Sequence, residues 1–144
     1  MRDAVMTEFA AATAVIMAAA VADYRPVIRG ERKLKRGSGP MELKLEPNPD
    51  IAKELGERKG DKFLIGFAAE TEDLTANAAK KLRAKNLDMI VANNVAVEGS
   101  GFDGDTNIAT ILDRTGAAQS LPLMSKDELA DRIYDKFLAL KAHH

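Results

Sequence analysis

The densest charge in this chain lies at Lys33-Leu34-Lys35-Arg36, in a stretch punctuated by Gly30, Gly37 and Gly39. A cationic loop of this kind can close over a polyphosphate and neutralise charge that develops in a transition state. Taken alone, a K-x-K-R string also describes an ordinary solvated charge run. Lys81 and Lys85 form a second basic pair, four residues apart, with Lys80 adjacent. Like charges at that spacing on a helix repel by about 0.2–0.5 kcal/mol, a penalty that a bound anion would reverse and a solvent-facing stripe would tolerate. Asp23 and Glu70 each follow an apolar run. Carboxylates at strand ends can hold Mg²⁺ or a ribose hydroxyl, or simply cap the next segment. Asn48-Pro49-Asp50-Ile51 reads as a helix start, with Asn48 as N-cap and Pro49 in the first helical position. Asp50 already satisfies the helix dipole and would repel phosphate, so a base or sugar is the expected neighbour of this helix end. No Walker A and no G-x-G-x-x-G string is present.

Composition removes several chemistries. There is no Cys, which excludes disulfides, thiolate metal sites and Cys nucleophiles, and the two His are the last two residues. A Ser-His-Asp triad therefore has no His inside the fold. Lys plus Arg number 21 against 22 Asp plus Glu, so the chain lacks the basic excess of a general nucleic-acid binder. The apolar run from Phe9 to Ala22, broken by Thr13, is too short to span a bilayer, and no secretory pattern is visible. The expectation is a soluble, cytoplasmic α/β domain with no membrane and no nucleic-acid partner.

Positioning these residues requires buried strands. The runs Ala14–Ala20, Lys62–Phe67 and Asp88–Ala92, the last two apolar after their first residue, are separated by helical stretches. They read as strands buried on both faces of a parallel sheet. Each ends in small or polar residues, and open α/β sheets bind ligands at that carboxyl edge. Helices are expected from Met1 to Ala11, from Asn48 to a stop at Gly56 or Gly60, from Leu74 to Lys85, and from Ser125 to about Ala142. Ser125 with Glu128 fits a capping box, and Leu129, Ile133, Phe137 and Leu140 supply the last helix's buried stripe. Thr106–Asp113 and Ala117–Leu123 flank Arg114-Thr115-Gly116 as a β-hairpin, and Tyr24 to Pro40 reads as a loop. The fold class is thus a three-layer α/β/α Rossmann-like, mostly parallel sheet with an appended antiparallel β-hairpin. Residues 1–142 are read as one α/β domain. His143 and His144 are native or a tag remnant and are left out of the chemistry.

Six motifs in order carry a family resemblance: Ala18-Ala19-Ala20-Val21-Ala22-Asp23-Tyr24, the Lys33–Arg36 loop, Asn48-Pro49-Asp50-Ile51, Gly66-Phe67-Ala68-Ala69-Glu70-Thr71, Lys81-x₃-Lys85 and Ile90-Val91-Ala92-Asn93. Together they resemble bacterial phosphopantothenoylcysteine synthetase. That family is the ligase half of a bifunctional coenzyme A biosynthesis protein whose other half is a flavin-dependent decarboxylase. The resemblance implies joining of 4′-phosphopantothenate to cysteine with CTP and Mg²⁺. The substrate carboxylate attacks the α-phosphorus of CTP, giving an acyl-cytidylate and pyrophosphate, and the cysteine amine then displaces CMP. It further implies a catalytic, triphosphate-stabilising role for Lys33 and backbone contacts to CTP from Met17, Ala18 and Ala19. Asp23 would lie near the triphosphate and its metal. Asn48, Pro49, Asp50, Ile51 and Phe67 would contact the nucleotide, and Lys81 and Lys85 would add positive charge. Arg36 stands where the family often has Lys, which replaces a point charge by a planar fork.

The family's domain opens with a strand, a Gly-rich turn and an Asn-Ser-Ser-Gly-type segment that have no counterpart here. This chain therefore reads as the C-terminal part of such a synthetase. A homodimer through residues 106–123 is expected, because family members pair through β structure. The competing reading is a truncated, non-catalytic nucleotide-binding and dimerisation module. A nucleic-acid binder ranks last, since Tyr24 is the basic loop's only aromatic neighbour.

Overall fold

A computed structural model describes residues 1–28, 39–94 and 104–142. In chain order its elements are α1 (Arg2–Phe9), β1 (Ala14–Met17), β2 (Tyr24–Pro26), β3 (Leu45–Pro47), α2 (Ile51–Arg58), β4 (Phe63–Glu70), α3 (Leu74–Ala84), β5 (Met89–Asn94), β6 (Thr106–Asn107), β7 (Ala109–Asp113), β8 (Ala118–Ser120), β9 (Met124–Ser125) and α4 (Lys126–Lys141). They fall into two compact units: residues 1–19 with the chain from Ile51 onward, and residues 20–50.

The larger unit is built on a five-stranded sheet ordered β1-β4-β5-β7-β8. β1, β4 and β5 are parallel, and β7 and β8 continue the sheet antiparallel. The period-2 alternation of each strand sorts its side chains to two cores. Leu64, Ala68, Ile90, Ala92 and Leu112 pack with Phe9, Ile51, Leu55, Ala78 and Leu82 of α1, α2 and α3. Phe63, Ile65, Met89, Val91 and Ile111 pack on the other face with Leu129, Ile133 and Phe137 of α4. Three layers result, and a mostly parallel sheet lies between them, as the apolar runs imply.

Several local expectations need correction. Among the described residues β1 is an edge strand paired only with β4, and Ile16 is 50% exposed, so this run is not buried on both faces. An apolar run alone does not distinguish an edge strand from a central one. Of the two stops read for α2, Gly60 at φ +53° stands just past its end at Arg58, and Gly56 does not end it. It lies inside the helix, where an added Cβ would stand 1.9 Å from the Lys85 carbonyl oxygen. Here glycine permits close approach of α2 to the end of α3. The antiparallel hairpin is β7–β8, turning at Gly116 with φ +89°, whereas β6 pairs with β9 in a separate two-stranded sheet. The capping box of α4 forms as read: Glu128 N–H donates to Ser125 Oγ at 3.1 Å, and Ser125 N–H donates to Glu128 Oε2 at 3.0 Å.

The smaller unit is a two-stranded ribbon, so the stretch read as a loop from Tyr24 begins with a strand. Tyr24, Arg25 and Pro26 lie opposite Pro47, Glu46 and Leu45. Arg25 and Glu46 pair at 2.7 Å, and Val27 N–H donates to the Lys44 carbonyl. Asn48 closes the ribbon: its N–H donates to the Asp23 carbonyl and its Nδ2 to the Ala22 carbonyl. The helix itself starts at Ile51, later than the Asn48-Pro49 signal suggested.

A buried charge fixes the amino end of the larger unit's sheet. Asp88, immediately before β5, has a side chain 1% exposed. It pairs with Lys59 at 2.7 Å and Arg114 at 2.8 Å, and its Oδ2 accepts from Leu64 N–H at 2.7 Å. One carboxylate thereby joins the end of α2, the start of β4 and β5, and the β7–β8 turn. Asp113 is held similarly by Lys136 at 2.9 Å and by the Thr115 hydroxyl and N–H.

Candidate functional site

The carboxyl edge of the parallel strands is where the larger unit gathers residues able to meet a ligand. Register creates a ledge there. Met17, the last residue of β1, lies opposite Gly66, and β4 runs on through Phe67, Ala68, Ala69 and Glu70. Beyond Met17, among the described residues only β5 continues alongside β4, with Ala69 opposite Asn93 and Glu70 opposite Asn94. Ala18 and Ala19 follow Met17 as exposed residues. Small side chains at such an edge leave backbone groups open to a ligand. Gly66 serves packing underneath: a Cβ there would meet Leu87 Cδ1 at 2.6 Å.

Alternation divides the ledge between the two faces of the sheet. Ala68 is packed on the α3 side and Phe67 on the α4 side. Glu70 shares the α3 face and pairs with Lys81 Nζ at 2.7 Å. The anion between the basic residues of α3 is therefore supplied, at least in part, by the protein itself. Asn93 follows Met89 and Val91 onto the Phe67 side by the same alternation. Its Oδ1 is buried and has no hydrogen-bond partner among the described residues.

The predicted residues separate into groups. Met17, Ala18, Ala19, Phe67 and Lys81 gather at the ledge. Lys85 sits one helical turn, about 6 Å, further along α3 and away from that edge, because α3 must run back before β5 can start parallel to β4. Ile51 is 5% exposed and belongs to the core, so its side chain is not open to a ligand. Asp23, Asn48, Pro49 and Asp50 belong to the smaller unit. Lys33, Lys35 and Arg36 lie outside the described residues, as do His143 and His144.

Sequence reasoning passed over Asn93 as a site residue. The available signal was an Asn-Asn pair closing a run of otherwise apolar residues, where a strand continues past its covered part. It also passed over the Glu70–Lys81 pair, eleven residues apart. No group of three or more His, Cys, Asp or Glu that could hold a metal ion occurs among the described residues. No described helix is long and apolar enough to cross a membrane.

Comparison with known proteins agrees with this architecture. The family described as the DNA/pantothenate metabolism flavoprotein C-terminal domain matches residues 1–140. The coenzyme A biosynthesis bifunctional protein CoaBC of Bacillus subtilis is 48% identical over 140 residues, covering 97% of this chain and 34% of that protein. A cysteine/cysteine sulfinic acid decarboxylase from an unknown prokaryotic organism is 44% identical over 141 residues, covering 97% of this chain and 39% of that protein. The crystal structure of the C-terminal domain of a CoaBC protein superposes with a TM-score of 0.79 at 39% identity, over 99% of this chain and 64% of that one. The chain thus spans between a third and two fifths of the length of these two curated relatives. Sequence match and shared fold together assign the chain to the DNA/pantothenate metabolism flavoprotein C-terminal domain family.

Proposed function

We propose that this chain supplies the nucleotide-binding edge of a phosphopantothenate–cysteine ligase. The reaction is CTP-dependent ligation of 4′-phosphopantothenate with cysteine through an acyl-cytidylate. The observation that carries this reading is the ledge beyond Met17. Exposed alanines flank it, Lys81 lies on one face, and Phe67 lies on the other with the Asn93 carbonyl, which has no partner among the described residues. A nucleotide laid across this edge meets a cation for its phosphates on one side. On the other it meets an aromatic ring and an acceptor suited to the cytosine amino group.

Carboxylate attack on a triphosphate brings anions together, so cations must offset the developing charge. Lys33 takes that role in this reading, with Lys81 and Lys85 as supporting charges. Asp23 would be the protein's own ligand to Mg²⁺. A lone exposed carboxylate suits a metal whose remaining ligands are phosphate oxygens and water, and not one caged by protein alone. The ion would neutralise phosphate charge when bound. The longer protein would carry a flavin-dependent decarboxylase half.

Two surfaces favour a second copy of the chain. β8, within the expected 106–123 contact, is an exposed sheet edge. The β2–β3 ribbon exposes Tyr24, Val27, Ile28, Met41, Leu43 and Leu45. A ribbon of two strands cannot cover such side chains by itself, and this favours partnering there.

The test is a calorimetric CTP titration with and without Mg²⁺, followed by pyrophosphate release on adding phosphopantothenate. The expected result is Mg²⁺-dependent CTP binding that Lys33→Ala weakens at least tenfold. Binding without pyrophosphate release selects the non-catalytic nucleotide-binding and dimerisation module. Absence of CTP binding refutes both readings.

A further inference from the structure

Lys81 is half-exposed, yet its ammonium is held by a carboxylate that is nearly buried. The Glu70 side chain is 11% exposed and that of Lys81 47%. Glu70 is the last residue of β4, and its backbone there continues the ladder on one side, to Asn94 of β5. Its position is therefore set by the sheet. Lys81 reaches it from α3, whose buried residues Ala78 and Leu82 fix the helix to the same sheet.

We propose that Glu70 is a positioning residue, which holds the Lys81 ammonium at the carboxyl edge of β4 so that an incoming phosphate meets a cation already in place. This rests on the nucleotide-binding reading above and adds a residue to it. An unpaired surface lysine samples many rotamers, and freezing it on ligand binding costs affinity by about tenfold or somewhat more. The ion pair removes most of that ordering from the binding step. An ammonium has three donors, so the bond to Glu70 leaves others for a phosphate oxygen.

Glu70 also places a negative charge near the ligand, and this makes the proposal testable against simple charge. Glu70→Gln keeps an acceptor for Lys81 and removes the charge. Glu70→Ala removes both. If Glu70 positions Lys81, the order of CTP affinity is Gln equal to or tighter than wild type, and Ala about tenfold weaker. Adding Glu70→Ala to Lys81→Ala should then cost nothing more, because the two residues act as one unit. If Glu70 acts only through its charge, both neutral variants tighten CTP binding alike, and the proposal is overturned. A purely structural role lowers the melting temperature of Glu70→Ala and adds to Lys81→Ala, which also overturns it. A nucleotide-free measurement separates this from failure of the wider reading. The Lys81 ammonium protons, followed by NMR at low temperature, should be sheltered from exchange in wild type and released in Glu70→Ala. Loss of shelter in wild type rejects positioning whatever the nucleotide does. A wild-type chain with sheltered protons that binds neither CTP nor inorganic pyrophosphate rejects the nucleotide reading and, with it, this use of Glu70.

Discussion

Replacing Asp88 by Asn tests whether the buried carboxylate organises the sheet's amino end. Asn is nearly isosteric and its one acceptor oxygen can still take Leu64 N–H, so the change removes the charge and the acceptor facing Arg114 while keeping the shape. Lys59, whose side chain is 6% exposed, loses its counter-ion, while Arg114 at 42% exposed remains solvated. Removing one partner of a buried pair costs about 3–5 kcal/mol. The exposed Arg114 contributes little, as surface pairs do, so the lower end applies, about 3 kcal/mol. With a urea slope of roughly 1–3 kcal/mol per molar, the midpoint should fall by about 1–3 M. The assay is equilibrium urea unfolding of wild type, Asp88→Asn, Lys59→Met and the double variant. The double variant should recover most of the loss, because no unpaired ammonium remains. A single-variant loss below about 1 kcal/mol, or a double variant no more stable than Asp88→Asn, would refute the assigned pairing.

Gly56→Ala should destabilise by about 1–3 kcal/mol despite alanine's better helix propensity, because its Cβ meets the Lys85 backbone carbonyl rather than a side chain that could move. Equal or higher stability in thermal unfolding would mean that α2 and the end of α3 are not so close. Asn93→Leu should weaken CTP binding at least tenfold and leave stability unchanged or raised, since it removes a buried acceptor that has no partner among the described residues. A marked stability loss would show that this carbonyl is bonded. Acid should destabilise the fold through three carboxylates. Burial by itself raises the Asp113 pKa, but the Thr115 hydroxyl, Lys136 and Thr115 N–H outweigh it and leave it lowered. The Arg2 hydrogen bond lowers Glu54, and the Ser125 N–H and hydroxyl lower Glu128. Depressed folded pKa values give stability that is full above the unfolded values, near pH 4, and lost as pH falls through the folded ones. Urea midpoints measured from pH 6 to pH 2 should fall in that window, and Lys136→Met should flatten the decline.

Much of the framework was legible because its causes are local. The spacing of Leu74, Ala78 and Leu82, the capping box at Ser125 and Glu128, and the apolar runs of β4 and β5 each state their structure within a few residues. The same reading could not choose between Gly56 and Gly60 as the stop, because what Gly56 makes room for is the carbonyl of a residue twenty-nine positions later. It read Tyr24 as loop because the strand's partner, Pro47, lies beyond the basic segment.

By itself the sequence determined the strand and helix alternation, the lack of Cys, and the ordered motifs that carry the family resemblance. Periodicity and residue chemistry suffice for those. Only tertiary structure decided that β1 is an edge strand among the described residues, that Asp88 carries a buried charge, that Lys81 is held by Glu70 while Lys85 stands back, and that the Asn93 carbonyl has no partner among the described residues. These outcomes depend on which distant residues share a face or a register, and pairings between distant residues leave no periodic trace along the chain.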